Sequence, residues 1–236
     1  MTIRRPAPKS IRELEIRAQA LVGHNIGEVA AALAIPLPEN PKRAKGFVGT
    51  LLEYALGADP TAQDNPDFPN LEVELKSIPI STHGRPAEST FVCSIKMIDA
   101  DQQTWESSRL RRRLGCVLFI PVQSAKTAPL PQRLFGQPVL WRPSPAQQQL
   151  LRADWEELIG YIGAGQSNSL SGHRGQILQV RPKASTSRER VLAPGDKGPE
   201  SVLPLGFYLR ACFTNQILMN ATDKTLNNTE DQQRID

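Results

Sequence analysis

The chain is poor in cysteine and histidine, with three of each in 236 residues and all of them scattered. Cys93, Cys116 and Cys212 form no CxxC pair. That argues against a disulfide framework and a structural zinc site, and predicts reduced core thiols. His24, His83 and His173 show no HxxxH or HExxH spacing, so a histidine-based metal or nucleophile site has no support. No apolar run approaches the ~20 residues that a membrane helix needs. The basic, proline-bearing start MTIRRPAPKS is followed by no apolar signal-peptide core. A cytoplasmic protein without a membrane span is expected. Internal repeats are missing as well.

What is present is an ordinary globular composition, 39% hydrophobic and 22% charged. The length allows one large domain or two small ones with a full core. The net charge of +4 says little by itself. Its distribution says more, because cations gather at Lys42, Arg43 and Lys45, at Arg109 and Arg111 to Arg113, and at Arg181, Lys183, Arg188 and Arg190. Any one cluster fits a solvated face equally well. Three of them flanking one acidic motif favour neutralisation of phosphates along a duplex.

Ser10 to Glu13 reads as a capping box opening a helix to about Leu21, and Asn25 to Glu28 as a second helix start. After the PLPENP joint, Arg43 to Leu56 stacks Phe47, Val48, Leu51, Leu52 and Ala55 on one face, and Gly57 ends the helix. Leu71 to Ile78 alternates apolar and charged residues, a strand signature. Further strands are expected over Glu88 to Ile95, Cys116 to Val122 (nearly all apolar, hence central), Pro138 to Trp141, Ile177 to Val180 and Phe207 to Leu209. Trp105 to Leu114 reads as a short basic helix, Pro145 to Ile162 as a long one, and Ala184 to Ser201 as a mobile loop. Helices and strands without regular βαβ alternation predict an α/β fold of mixed α+β character.

Residues i and i+2 of a strand share a face, so Glu72, Glu74 and Lys76 are expected to point one way. Asp67 lies seven residues before Glu74, across a Pro69-Asn70 turn that can return its carboxylate to that neighbourhood. Two convergent carboxylates offer hard oxygen ligands for Mg²⁺, which can polarise a phosphodiester and acidify an attacking water. Lys76 can then orient that water or stabilise developing negative charge. Taken alone, D-x6-E-x-K is a weak signal that a solvent-facing strand, its charges paired with neighbours, explains better. Glu53 lies off the apolar stripe of its helix, with Gly49 and Gly46 one and two turns before it. Two helical glycines are costly. They serve either tight helix–strand packing or close approach of a phosphate backbone.

With these pieces in place, the chain resembles the MutH family, the strand-discriminating endonucleases of methyl-directed DNA mismatch repair. PENPKRAKGFVGTLLEYALGA, LEVELKSIPI, GRPAESTFVC, TWESSRLRRRL, DWEELI, RPKA and LPLGFYLRACFT carry the resemblance, in the family's order, from about residue 10 to 220. It implies a restriction-endonuclease-like PD-(D/E)xK fold, with a mixed β-sheet flanked by helices and two lobes around a DNA cleft. It also implies a single endonuclease domain over residues 1–220, dependence on Mg²⁺, and nicking of the unmethylated strand at hemimethylated GATC. Expected partners are double-stranded DNA and MutL, which stimulates the cut after MutS finds a mismatch, and a monomer suffices.

Carried over residue by residue, Glu53, Asp67, Glu74 and Lys76 look like the active-site set, with Asp67, Glu74 and Glu53 as metal ligands. Lys45 resembles the lysine near the cleavage site. Arg113 stands where the family commonly has lysine; it keeps the charge for a phosphate contact but cannot give up a proton as an ammonium can. Arg181, Pro182 and Lys183 look like the DNA-contact loop. Tyr208 resembles the residue that senses adenine methylation, since adenine N6 faces the major groove. The polar tail over residues 221–236, expected to be disordered, departs from the family's short, more hydrophobic ending. Coupling to MutL through that end would be altered here. Two alternatives remain open at this point: a restriction enzyme of the same fold cutting both strands, and a DNA-binding module without catalysis.

Overall fold

The computed structural model describes residues 3–39, 44–62, 64–124, 128–184, 186, 188–195 and 197–221, with backbone alone at Ala44 and Lys45. The side chain of Lys45, its neighbours Lys42 and Arg43, and nearly all of the 221–236 tail lie outside the described residues. In chain order the elements are α1 (Ile11–Gln19), α2 (Ile26–Ala32), α3 (Ala44–Leu56), β1 (Glu74–Ile80), β2 (Thr90–Ser94), α4 (Arg109–Leu114), β3 (Val117–Gln123), β4 (Val139–Trp141), α5 (Pro145–Gly163), β5 (Leu178–Pro182), β6 (Val191–Ala193), β7 (Glu200–Val202) and β8 (Leu205–Leu209). A closing helix, α6, covers residues 211–221. The chain divides into two compact units. One comprises Met1–Glu88, Cys116–Trp141 and Thr214–Asp236, the other Ser89–Gly115 and Arg142–Phe213. Among the described residues no helix is long and apolar enough to cross a membrane.

The first unit is built on a sheet of order β1-β3-β4, with β1 parallel to β3 and β4 antiparallel to it. Its central strand β3 is buried along six of its seven residues, as its continuous apolar run requires. Leu14 of α1, Ile26 and Val29 of α2, and Leu51, Leu52 and Leu56 of α3 share one core with Leu75, Leu118, Ile120 and Phe135. Each such enclosed side chain contributes on the order of 2 kcal/mol. Local signals start the helices. Asn25 and Glu28 form a complete capping box on α2. On α1 only half of the expected box forms: Ser10 Oγ accepts the Glu13 N–H, but the Glu13 carboxylate accepts from Lys9 instead.

The second unit holds an antiparallel sheet of order β2-β8-β5, with an irregularity between Phe91 and Cys93, and a separate β6-β7 hairpin. Helix α5 opens on a Ser144–Gln147 capping box with Pro145 in its first turn. It buries Leu151, Trp155, Leu158, Ile159 and Ile162, and Trp155 meets Trp105 with ring centroids 5.9 Å apart.

Three expectations are corrected. The strand expected from Leu71 starts at Glu74, because Pro69–Leu71 is a 3-10 turn and Glu72 takes a left-handed conformation, φ 54°. The expected loop from 184 to 201 contains β6 and the start of β7; three-residue strands are too short to show a period amid Ser, Gly and Pro. Cys93 and Cys116 are buried, but Cys212 is exposed rather than in the core.

Candidate active site

The Pro69-Asn70 turn forms. Phe68 and Val73 exchange backbone hydrogen bonds of 2.9 and 3.3 Å, closing a tight loop whose left-handed corner is Glu72. The loop doubles the chain back, so that Asp67 Oδ2 accepts the N–H of Leu75 at 2.8 Å. The carbonyl of Asp67 in turn accepts the N–H of Asp59, also at 2.8 Å. A carboxylate with one oxygen committed to a backbone amide is oriented, and its second oxygen is left for other chemistry.

Glu74 begins β1, its N–H donating to Cys116 O at 2.9 Å. Its side chain is fully enclosed and ion-paired to Lys76, Nζ to Oε1 at 2.5 Å. The two share a face because they are i and i+2 on one strand. Glu72, expected with them, is exposed outside the strand. An enclosed carboxylate persists as a charge only with a cation or donors close by, and Lys76 is one such cation.

Glu53, on the last turns of α3, is half-buried. Its carboxyl is raised above the ordinary glutamate range. Burial is the main cause, followed by the negative charge of Asp67; Arg4 and Lys76 pull it back down, and Glu74 raises it further. Asp67, Glu74, Lys76 and Arg4 therefore all lie within electrostatic reach of Glu53. A Cβ built on Gly46 or Gly49 would meet nothing within 4 Å. Tight packing within the described residues thus does not account for the two helical glycines, and they present an open face.

Glu53 lies within electrostatic reach of both Asp67 and Glu74, and carboxylate oxygens are the donors that a hard divalent cation takes. They fit Mg²⁺ in kind. They do not close into a ready cage, since among the described residues no three Asp, Glu, His or Cys side chains are drawn together as a metal site.

The remaining expected residues lie in the second unit. Arg181 and Pro182 end β5, and with Lys183 they are exposed. Tyr208 lies mid-β8, opposite Phe91 on one side and Gln179 on the other. Its ring meets that of Phe91 edge-on, centroids 5.3 Å apart. Lys183 Nζ lies 4.6 Å from the Phe91 ring centroid, a cation–π contact. Gly206 permits this crowding, as a Cβ there would lie 2.9 Å from Phe91 Cε2. Arg113, expected at a phosphate, is buried. Sequence reasoning passed over Phe91, which joins Lys183 to Tyr208, although it stands in the quoted GRPAESTFVC. It also missed Arg4, which was read only as part of a basic terminus, and Asp154, whose buried carboxylate accepts the N–H groups of Gln176, Ile177 and Leu178, each at 2.8 Å.

A strand-borne Glu-x-Lys thus stands beside a turn-borne aspartate on a mixed sheet flanked by helices. Comparison with known proteins gives the class. Residues 56–154 match the family described as MutH, DNA mismatch repair enzyme MutH. DNA mismatch repair protein MutH of Pectobacterium atrosepticum is 44% identical over 213 residues, covering 90% of this chain and 92% of the relative. That of Vibrio cholerae is 44% identical over 215 residues, 91% and 97% of the two chains. That of Yersinia pestis is also 44% identical over 215 residues, 90% and 94%. The chain belongs to the MutH family of DNA mismatch repair endonucleases.

Proposed function

We propose that this endonuclease nicks the unmethylated strand of double-stranded DNA at hemimethylated GATC sites. In this reading it depends on Mg²⁺ and is stimulated by MutL acting after MutS. It works in the cytoplasm as a monomer, because one catalytic set cuts one strand per encounter. The observation that carries the chemistry is the tight turn that ties the Asp67 carboxylate to the Leu75 N–H, between Glu74 and Lys76 of one strand.

Asp67 and Glu74, with Glu53 beside them, are the residues that would hold the metal. Bound there, Mg²⁺ would supply polarisation of the phosphodiester and acidification of the attacking water. Lys76 fixes Glu74 and keeps a positive charge at the edge of the site, where negative charge develops on the phosphate. Arg181 and Lys183 are exposed cations that suit backbone phosphates, and Pro182 between them stiffens the strand end. Lys45 and Arg113 are proposed as further phosphate contacts; Arg113 would have to act from a covered position. Tyr208 is proposed to read the adenine amino group, whose methylation adds bulk in the major groove.

The test is a nicking assay on a circular duplex with one hemimethylated GATC, with Mg²⁺, with and without MutL and ATP. Partner-stimulated cutting of the unmethylated strand alone is expected, and Glu74→Ala should abolish it while DNA binding is retained. Cutting of both strands without a partner would move the role to restriction. Cutting by the Glu74→Ala variant would remove Glu74 from the mechanism.

A further inference from the structure

The β2-β8-β5 sheet carries a buried polar side chain with no role so far. Along β5 and one step beyond it, Gln179, Arg181 and Lys183 alternate onto one face. Arg181 and Lys183 are exposed at the outer end of that row. Gln179, its inner member, is only 3% exposed. An amide enclosed to that degree is costly unless its hydrogen bonds are met, and an apolar side chain of similar size would fill the place without that demand.

Gln179 meets the demand by reaching across the sheet. Its Nε2 donates to Ser89 Oγ at 2.5 Å, although Ser89 precedes β2 and β8 lies between β2 and β5. Two strand spacings amount to roughly 10 Å, a gap that an extended glutamine and a serine hydroxyl span together. Gln179 stands directly opposite Tyr208 in the register, and Ser89 falls one step beyond the Thr90–Leu209 pair. The amide therefore crosses β8 between Tyr208 and Arg210. Arg210 is itself tethered, donating to Arg174 O at 2.8 Å and to Gly175 O at 2.9 Å. Gly172 backs the amide, since a Cβ there would lie 3.5 Å from Gln179 Oε1 and 4.0 Å from Arg181 Nε. All of these residues belong to the second unit.

Tyr208 is thus bounded from both neighbouring strands. Phe91 meets its ring edge-on from β2, centroids 5.3 Å apart. Gln179 stands against it from β5, where directly paired side chains lie about 5 Å apart at Cβ. A side chain that must detect one methyl group has to be held to about 0.5 Å by its neighbours. We propose that Gln179 is a positioning residue for base recognition, its amide joined to Ser89 across β8 so that Tyr208 keeps the position from which adenine methylation is sensed. The inference rests on the reading of Tyr208 as the residue that faces the adenine amino group.

The experiment compares single-turnover nicking, with Mg²⁺, of circular duplexes carrying one unmethylated or one fully methylated GATC, and reads the ratio of the two rates. Gln179→Met keeps the volume without the amide, and Ser89→Ala removes its partner. Each is expected to lower the ratio by about tenfold, a scale that one methyl group is worth in a shaped pocket. The double variant should be little worse than either single one, because both remove the same bond. Ser89→Thr, which keeps the hydroxyl, should hold the wild-type ratio. Equal slowing on both duplexes in Gln179→Met, with the ratio intact, would show a merely structural residue and overturn the proposal, as would fully additive effects in the double variant. A ratio altered by Tyr208→Phe but untouched by Gln179→Met and Ser89→Ala overturns this inference and leaves the reading of Tyr208 standing. A ratio unmoved by Tyr208→Phe overturns both. If Gln179→Met fails to fold, Ser89→Ala decides: a lowered ratio supports the proposal and a wild-type ratio overturns it.

Discussion

The Nζ of Lys76 lies 2.5 Å from Oε1 of Glu74, and the glutamate side chain in this pair is wholly enclosed while the lysine keeps 17% exposure. Removing one partner of such a pair costs far more than the pair adds as a whole. Lys76→Met should therefore lower the unfolding free energy by about 3 kcal/mol in urea titrations and stop nicking. The double variant Lys76→Met, Glu74→Gln should regain much of that stability and none of the activity. Equal destabilisation in single and double variants would show that the charge of Glu74 is compensated elsewhere.

Glu53 carries a carboxyl raised by burial and by Asp67. In the folded chain it binds its proton more tightly than in the unfolded chain, so ionising it costs stability. That cost is fully present above the folded pKa and disappears as pH falls below the ordinary glutamate value. Without Mg²⁺, Glu53→Gln should thus raise the melting temperature near neutral pH, and the gain should shrink on acidification. Nicking should drop by about 10- to 100-fold, as for loss of a metal-site group. A melting difference independent of pH would show that Glu53 is not strained by its neighbours.

Asp154 anchors the start of β5 by accepting three backbone N–H groups, each at 2.8 Å, from a position only 3% exposed. An asparagine of the same shape offers one oxygen and turns an NH₂ toward at least one of those donors. Asp154→Asn should cost about 2–3 kcal/mol. It should also weaken DNA binding, because Arg181 and Lys183 lie on and just beyond β5. Unchanged affinity in the destabilised variant would separate the anchor from the DNA contacts proposed for Arg181 and Lys183.

Lys183 is held over the Phe91 ring. As a phosphate contact it should act on all sequences alike. Lys183→Ala should reduce the slope of log affinity against log salt by about one, with sequence preference unchanged. Tyr208→Phe should do the reverse, leaving the salt slope intact and altering discrimination between methylated and unmethylated adenine. A salt slope untouched by Lys183→Ala would remove that lysine from the DNA contacts.

Much of this arrangement was legible in the residues because the relevant signals are local. Asn25 with Glu28 and Ser144 with Gln147 announce their helix starts within one turn. The run from Val117 to Val122 announces a central strand by lacking any polar face. The spacing of Asp67, Glu74 and Lys76 pointed to a turn followed by a strand. Strict alternation nevertheless misled over Leu71 to Val73. There the Phe68–Val73 pairing closes a turn and puts Glu72 into a left-handed corner. Alternation records which residues avoid water and does not record where a strand begins.

Propensity, capping and period act between near neighbours, and they suffice for the mixed α and β character, the helix starts and the set of acidic and basic residues worth attention. That Glu74 is enclosed against Lys76, that Glu53 feels Asp67 and that Lys183 rests on Phe91 follows from long-range packing. The same packing carries the Gln179 amide across β8 to Ser89. Those relationships join residues far apart along the chain, and they exist only once the packing of helices and strands has fixed which distant backbones touch.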